Sequence, residues 1–65
     1  MEVYVNGKNI KTKSSTILKL LNELGIESKV MATALNTQIV KKEEWKTKEI
    51  KEGDEIEFLE FVGGG

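Results

Sequence analysis

The sequence predicts an α+β domain, a four-stranded mixed sheet packed on one main helix with a short helical turn beside it. Three observations lead there. Apolar and polar residues alternate near both ends of the chain, the pattern of half-buried strands. The period changes to that of a helix once, over residues 17–24. Turn residues punctuate the segments between.

The opening "MEVYVNGKNIKT" places Val3 and Val5 on one side of a strand and Glu2 and Tyr4 on the other. Asn6-Gly7 is the preferred pair for a two-residue type I′ turn, whose central residues both need positive φ. A second strand then runs through Ile10, completing a hairpin. In "SSTILKLLNELG", Ile17, Leu20, Leu21 and Leu24 recur at i, i+3, i+4 and i+7, one apolar stripe on a helix. Ser14 or Ser15 is the expected N-cap, and Gly25 the residue that closes the helix.

"VMATALN" reads as a third strand, with Ala32 and Ala34 small enough to lie close under the helix. Residues 36–38 turn the chain into Ile39-Val40. "KKEEWKTKEI" holds one apolar anchor, Trp45, among charges and fits a short surface helical turn, with Trp45 filling the lip of the core. Gly53 makes a turn into the last strand, from Glu55 to Val62. A single amphipathic helix covers one face of a sheet, and the first and last strands belong together at its centre. That is the β-grasp arrangement.

The last strand is apolar on both faces, with Ile56, Phe58 and Val62 on one and Leu59 and Phe61 on the other. Only one set can meet the helix. Leu59 and Phe61 therefore predict an exposed apolar patch, which marks a binding surface.

Composition narrows the function. The 65 residues include no His, Cys or Arg. The usual acid-base group near neutral pH, the usual soft nucleophile and the bidentate phosphate fork are all missing, so the chain is not expected to be an enzyme. Without Cys there is no disulfide and no thiolate metal site. No apolar run approaches the ~20 residues of a membrane span, and no signal segment opens the chain. The cytoplasm is the expected compartment, and a monomer the expected free state.

Net charge is −1, but its parts are segregated. Residues 1–42 carry seven Lys against three Glu, and residues 43–65 eight acids against three Lys. From Glu52 onward come Glu52, Asp54, Glu55, Glu57 and Glu60 with no base. Such a patch steers a basic partner surface toward it. Nucleic acid is not expected, because no Arg or aromatic row accompanies the scattered Lys.

Five stretches, in this order and spacing, are shared with a known family. They are "VNG" at 5–7, "ALN" at 34–36, "QIV" at 38–40 followed by "EEW" at 43–45, "EGDEI" at 52–56, and the terminal Gly64-Gly65. In them the chain resembles the ThiS family, the bacterial ubiquitin-like sulfur carriers of thiamine biosynthesis. Two positions depart from the family pattern: Lys41-Lys42 stands where Pro-Arg is frequent, and Gly63 adds a third glycine.

The resemblance implies a 1–62 β-grasp domain with a flexible 63–65 tail. It implies that the terminal carboxylate of Gly65 is adenylated and converted to a thiocarboxylate. Gly63 and Gly64 would thread the partner's channel, and Leu59, Phe61, Val62, Glu57 and Glu60 would contact partners. The implied partners are an adenylyltransferase related to ubiquitin-activating enzymes (ThiF type), which uses ATP and magnesium, a thiazole synthase (ThiG type) and a sulfur-donor protein. The chain itself would bind no cofactor and no metal. A carrier subunit of the molybdopterin-synthase type, or a plain β-grasp binding module, is the alternative.

Overall fold

The valine alternation and the Asn6-Gly7 pair produce the expected hairpin in a computed structural model that describes residues 1–60. Strands β1 (Glu2–Val5) and β2 (Lys8–Lys11) pair antiparallel, with Val5 opposite Lys8 and Val3 opposite Ile10. Asn6 and Gly7 have φ of 50° and 82°, both positive as a type I′ turn demands. Val3 is buried in the core.

Helix α1 spans Ile17–Leu24 and buries Ile17, Leu20 and Leu21 completely. Leu24, at the end of the stripe, is 37% exposed. Gly25 closes the helix in the left-handed region at φ 71°, its N–H donating to the Leu21 and Asn22 carbonyls. The N-cap is Thr16, not Ser14 or Ser15: its hydroxyl accepts from the Lys19 N–H at 3.2 Å. The reason lies outside the helix. Ser15 C=O accepts from the Ile50 N–H, and Thr16 bridges to Glu49. The backbone therefore stays extended through Thr16, and helical geometry starts one residue later.

Ser14 serves a different contact. Its hydroxyl and that of buried Thr12 both donate to the Glu23 carboxylate. Those two hydrogen bonds, Thr12 first, hold the Glu23 carboxyl below the usual carboxylate range. A lowered folded pKa gives stability that is present above the ordinary glutamate value of about 4.3 and lost as pH falls through the lowered one. Glu23→Gln is therefore expected to melt slightly below the wild type at neutral pH. The gap should close in acid, as thermal melts across a pH series will show.

With β3 at Val30–Leu35, β4 at Gln38–Val40 and β5 at Glu55–Glu60, the sheet has five strands, not four, in the order β2-β1-β5-β3-β4. The additional one is β4 (Gln38–Val40), which pairs antiparallel with β3 (Val30–Leu35), Leu35 facing Gln38 and Thr33 facing Val40. Asn36 and Thr37 make the tight turn between them at φ 50° and 73°. A three-residue strand is too short to show a period, and a β-branched residue at positive φ is not a sequence signal for a turn. The last strand, β5 (Glu55–Glu60), lies between β1 and β3, parallel to the first and antiparallel to the second. First and last strands are thus adjacent and central in a mixed sheet.

Register corrects a second expectation. Ala32 and Ala34 do not lie under the helix. Thr33 faces Phe58 and Leu35 faces Ile56 across the β3–β5 pair, and these buried residues take the helix side. Ala32 and Ala34 face Leu59 and Glu57, so the alternation sends them to the open side.

Trp45 sits deeper than the lip of the core. It follows a 3-10 turn at Lys42–Glu44 and is only 2% exposed. Its Nε1–H donates to Thr33 Oγ1 at 3.1 Å and to the Val40 carbonyl at 3.3 Å. Its own carbonyl accepts from the Leu18 N–H, so one residue ties the sheet to the start of the helix. Lys42 places its ammonium 5.6 Å from the ring centroid, a cation–π contact. No helix among the described residues is long and apolar enough to cross a membrane.

Candidate functional site

Strand β5 divides its side chains as the alternation requires. Ile56 and Phe58 are buried against the helix, Phe58 at 7% exposure. Glu55, Glu57 and Leu59 stand on the open side of the sheet, with Leu59 61% exposed. An aliphatic side chain so placed on a central strand has no packing role of its own in the core.

Its neighbours come from strands distant in sequence. Ala32 lies opposite Leu59, Ala34 opposite Glu57, and Ile39 opposite Ala34. Ile39 is 72% exposed. Small residues on β3 between larger ones on β4 and β5 leave a shallow depression of about 340 Å³, with Leu59 and Ile39 on its walls and Glu57 at its edge. Across β1, Tyr4 is opposite Glu55 and half exposed. On the open face the central strand carries Glu55, Glu57 and Leu59, with the apolar Ala32, Ala34 and Ile39 on the β3–β4 side.

Of the five acids noted from Glu52 onward, two are committed to turns. Glu52 accepts from the Glu2 N–H at 3.0 Å. Asp54 accepts from the Lys51 N–H at 2.7 Å and from Asn36 Nδ2 at 3.0 Å. Glu55, Glu57 and Glu60 are exposed to solvent, as is Glu52. Glu57 and Leu59 share the open face, whereas alternation puts Glu60 on the opposite side of the strand. Glu60 pairs with Val30 past an irregularity in the β3 register.

Phe61, Val62, Gly63, Gly64 and Gly65 lie outside the described residues, so their expected roles rest on sequence. Ile39, Ala32, Ala34 and Tyr4 were not singled out from sequence as parts of a surface. Strand pairing alone brings them together, and no local pattern carries it. Among the described residues there is no group of three or more Asp, Glu, His or Cys able to hold a metal ion.

The comparisons with known proteins agree with one another. The model of the ThiS family matches residues 3–65. A sulfur carrier protein ThiS from Bacillus subtilis is 38% identical over 63 residues, which cover 94% of this chain and 96% of that one. A thiazole synthase from Paramagnetospirillum magneticum is 35% identical over 66 residues; the match covers all of this chain but 20% of that protein's length. Among solved structures, the crystal structure of the thiamine biosynthesis protein ThiS from Geobacter metallireducens superposes with a TM-score of 0.80 at 31% identity, covering both chains in full. These matches, over a β-grasp sheet whose central strand leads toward the glycines, place the chain in the ThiS family, the sulfur carriers of thiamine biosynthesis.

Proposed function

We propose that the sulfur is carried on the main-chain carboxylate of Gly65. The observation that supports this is the family match through residue 65, which takes in all three glycines. A terminal carboxylate has a pKa near ~3.5 and is an anion at neutral pH. One of its oxygens attacks the α-phosphorus of ATP and pyrophosphate leaves, giving an acyl adenylate. A sulfur nucleophile at the hydrosulfide level then adds to the acyl carbon and AMP departs. The product is a thiocarboxylate, which a thiazole synthase consumes. ATP and magnesium belong to the partner adenylyltransferase, and this chain supplies no side chain to the bond-making steps. The compartment we assign is the cytoplasm, where ATP is at hand.

Both ends of the carrier suit the task. Three extended residues reach roughly 10 Å, and without Cβ atoms Gly63, Gly64 and Gly65 present little bulk to a channel in the partner. Ordering them costs on the order of 3–6 kcal/mol. Burying Leu59 against the partner returns about 1.5–3 kcal/mol, and we assign Phe61 and Val62 to the same contact. Glu57 and Glu60 mainly quicken encounter. The thiazole synthase relative, which contains a stretch similar to this whole chain, supports a synthase of that type as the second partner.

The experiment is intact-mass analysis of the chain after incubation with ATP, the cognate adenylyltransferase and a sulfur donor. The expected result is one oxygen exchanged for sulfur, localised to Gly65. An unchanged mass with an enzyme proven active, or sulfur at another residue, would overturn the proposal. Leu59→Ala should raise the KM for this chain in ATP–pyrophosphate exchange roughly tenfold, the factor matching about 1.4 kcal/mol of lost contact. Its melting temperature should stay at the wild-type value, because Leu59 is outside the core.

A further inference from the structure

We infer that Asn6 is a modification site: its side-chain amide converts to a carboxyl by ring closure with the Gly7 nitrogen, and two hydrogen bonds to Phe58 confine that conversion to chains whose β1–β5 contact has opened. The reaction marks such a chain permanently. It needs no partner protein and none of residues 61–65, so it stands independently of the carrier reading.

The sequence supplies both reactants. Of the four asparagines, at positions 6, 9, 22 and 36, Asn6 alone precedes a glycine. Asparagine is among the heat-labile residues of proteins, because the next main-chain nitrogen can attack its side-chain carbonyl carbon. A Cβ on that next residue crowds the approach, and glycine has none. Asn6 and Gly7 are both exposed, so water reaches the site.

In the first step the Gly7 nitrogen bonds to Asn6 Cγ, the Cγ–Nδ2 bond breaks, and ammonia departs with the proton the nitrogen loses. A five-membered succinimide remains. Water then cleaves one of its two carbonyl–nitrogen bonds. Cleavage at Cγ leaves aspartate. Cleavage at the main-chain carbonyl leaves isoaspartate, whose chain runs on through the side chain and is longer by a methylene. The only co-reactant is water.

The fold withholds the geometry for ring closure. Strand β1 meets β5 at Tyr4–Glu55 and Val5–Ile56, and the Asn6 N–H donates to the Ile56 carbonyl at 2.9 Å. There the backbone turns away, and the Asn6 side chain continues the ladder in its place. Its Oδ1 accepts from the Phe58 N–H at 2.8 Å, and its Nδ2 donates to the Phe58 carbonyl at 3.4 Å. Closing the ring requires one rotation about the Cα–Cβ bond of Asn6 and another about its Cα–C bond. The Phe58 bonds fix the first. The turn, with Asn6 at φ 50° and Gly7 at φ 82°, fixes the second. Both are released when the β1–β5 contact opens.

Reclosure then meets a different residue. Aspartate has no donor for the Phe58 carbonyl, and it sets a second carboxylate in the depression that Asn6 lines together with Glu57. Isoaspartate, with its longer main chain, no longer fits a two-residue turn between Val5 and Lys8. Opening is reversible and the mark is not. Asn36 is also engaged by β5, its Oδ1 accepting from the Glu55 N–H at 2.9 Å, but the β-branched Thr37 follows it and it should stay intact.

The test incubates the full chain at one pH and temperature, folded in buffer and unfolded in guanidinium chloride. Peptide mapping follows the exchange of NH2 for OH and the appearance of isoaspartate at residue 6. Hydrogen exchange at the Phe58 amide is read in parallel over low denaturant concentrations. The folded chain should deamidate at Asn6 at least about tenfold more slowly than the unfolded one, the factor one ordinary hydrogen bond carries. Below the unfolding transition the Asn6 rate should rise in proportion to Phe58 exchange, because one opening exposes both. Purified isoaspartate chains should melt below the unmodified protein.

Equal rates in the folded and unfolded chain overturn the inference, and so does Asn6 deamidation that quickens while the Phe58 amide stays protected. Faster conversion at Asn9, Asn22 or Asn36 overturns the choice of site. Isoaspartate chains with an unchanged melting temperature overturn the permanence of the mark.

Discussion

Removing Gly65 is expected to abolish sulfur loading while leaving the domain folded. The shortened chain still ends in a carboxylate of ordinary acidity, so the chemistry of the nucleophile is unchanged. What changes is its location. The carboxylate retreats by one residue, roughly 3.3–3.6 Å, whereas in-line attack on a phosphorus needs reacting atoms within about 3–3.5 Å. A misplacement of about 1 Å can cost on the order of a hundredfold, so the loss should exceed that factor. Nothing is taken from the described core, whose last member along the chain is Phe58. Paired measurements of ATP–pyrophosphate exchange and thermal melting check both halves. A binding module that used only its open face would keep its partner and its function after the same deletion, which separates the two classes of protein.

Trp45→Ala is expected to unfold a large part of the population at ambient temperature. Replacing a buried aromatic side chain by Ala costs about 3–5 kcal/mol. A domain of 65 residues has only about 3–10 kcal/mol in total, at roughly 0.05–0.15 kcal/mol per residue. The indole fills the junction where β3, β4 and the start of α1 meet, and its N–H anchors on Thr33 and Val40. Trp45→Phe keeps most of the apolar volume and loses that donor, and should cost about 1–2 kcal/mol. Thr33 retains its own bond to the Val40 carbonyl at 3.1 Å, so no buried hydroxyl is stranded in either variant. Urea denaturation followed by circular dichroism gives both values. A Trp45→Ala protein within about 1 kcal/mol of the wild type would show that the indole is not the tie between helix and sheet.

The burial of Trp45 also bears on function. At 2% exposure the ring cannot stack on a base or a partner's side chain without unfolding the domain. The exposed aromatic ring on the described part of the open face is that of Tyr4, not Trp45. Lys42, at a position where the family often has Arg, reaches the ring through its ammonium, a contact open to either cation.

The chain's own letters settle what is decided within a few residues. The Asn6-Gly7 turn, the apolar stripe of Ile17, Leu20 and Leu21 and the closing Gly25 each follow from the φ or the period that those residues favour, and each forms as expected, while Leu24 at the stripe's end stays exposed. The split of β5, with Phe58 inward and Leu59 outward, follows from alternation once a helix covers one face. The ThiS resemblance came from short motifs whose order, more than any one of them, is distinctive.

Other features depend on which segments meet, and there local reading fell short. Thr16 caps the helix because Ser15 and Thr16 are engaged by Glu49 and Ile50, more than thirty positions away. Strand β4 exists because two residues at positive φ fold it back on β3, and its three residues show no pattern by themselves. Ala32 and Ala34 fit the space under a helix as well as an open face, and their size does not choose. Register against β5 chooses, since a shift by one residue would exchange the two faces. Asn6 could be read as a turn former from its neighbour Gly7, but its grip on Phe58 spans 52 positions. Turn chemistry and periodicity are properties of neighbours in the chain, so sequence alone determined the elements and their order. Which residues share the open face, and the hydrogen bonds between Asn6 and Phe58, are properties of neighbours in space, and only the packed sheet decided them.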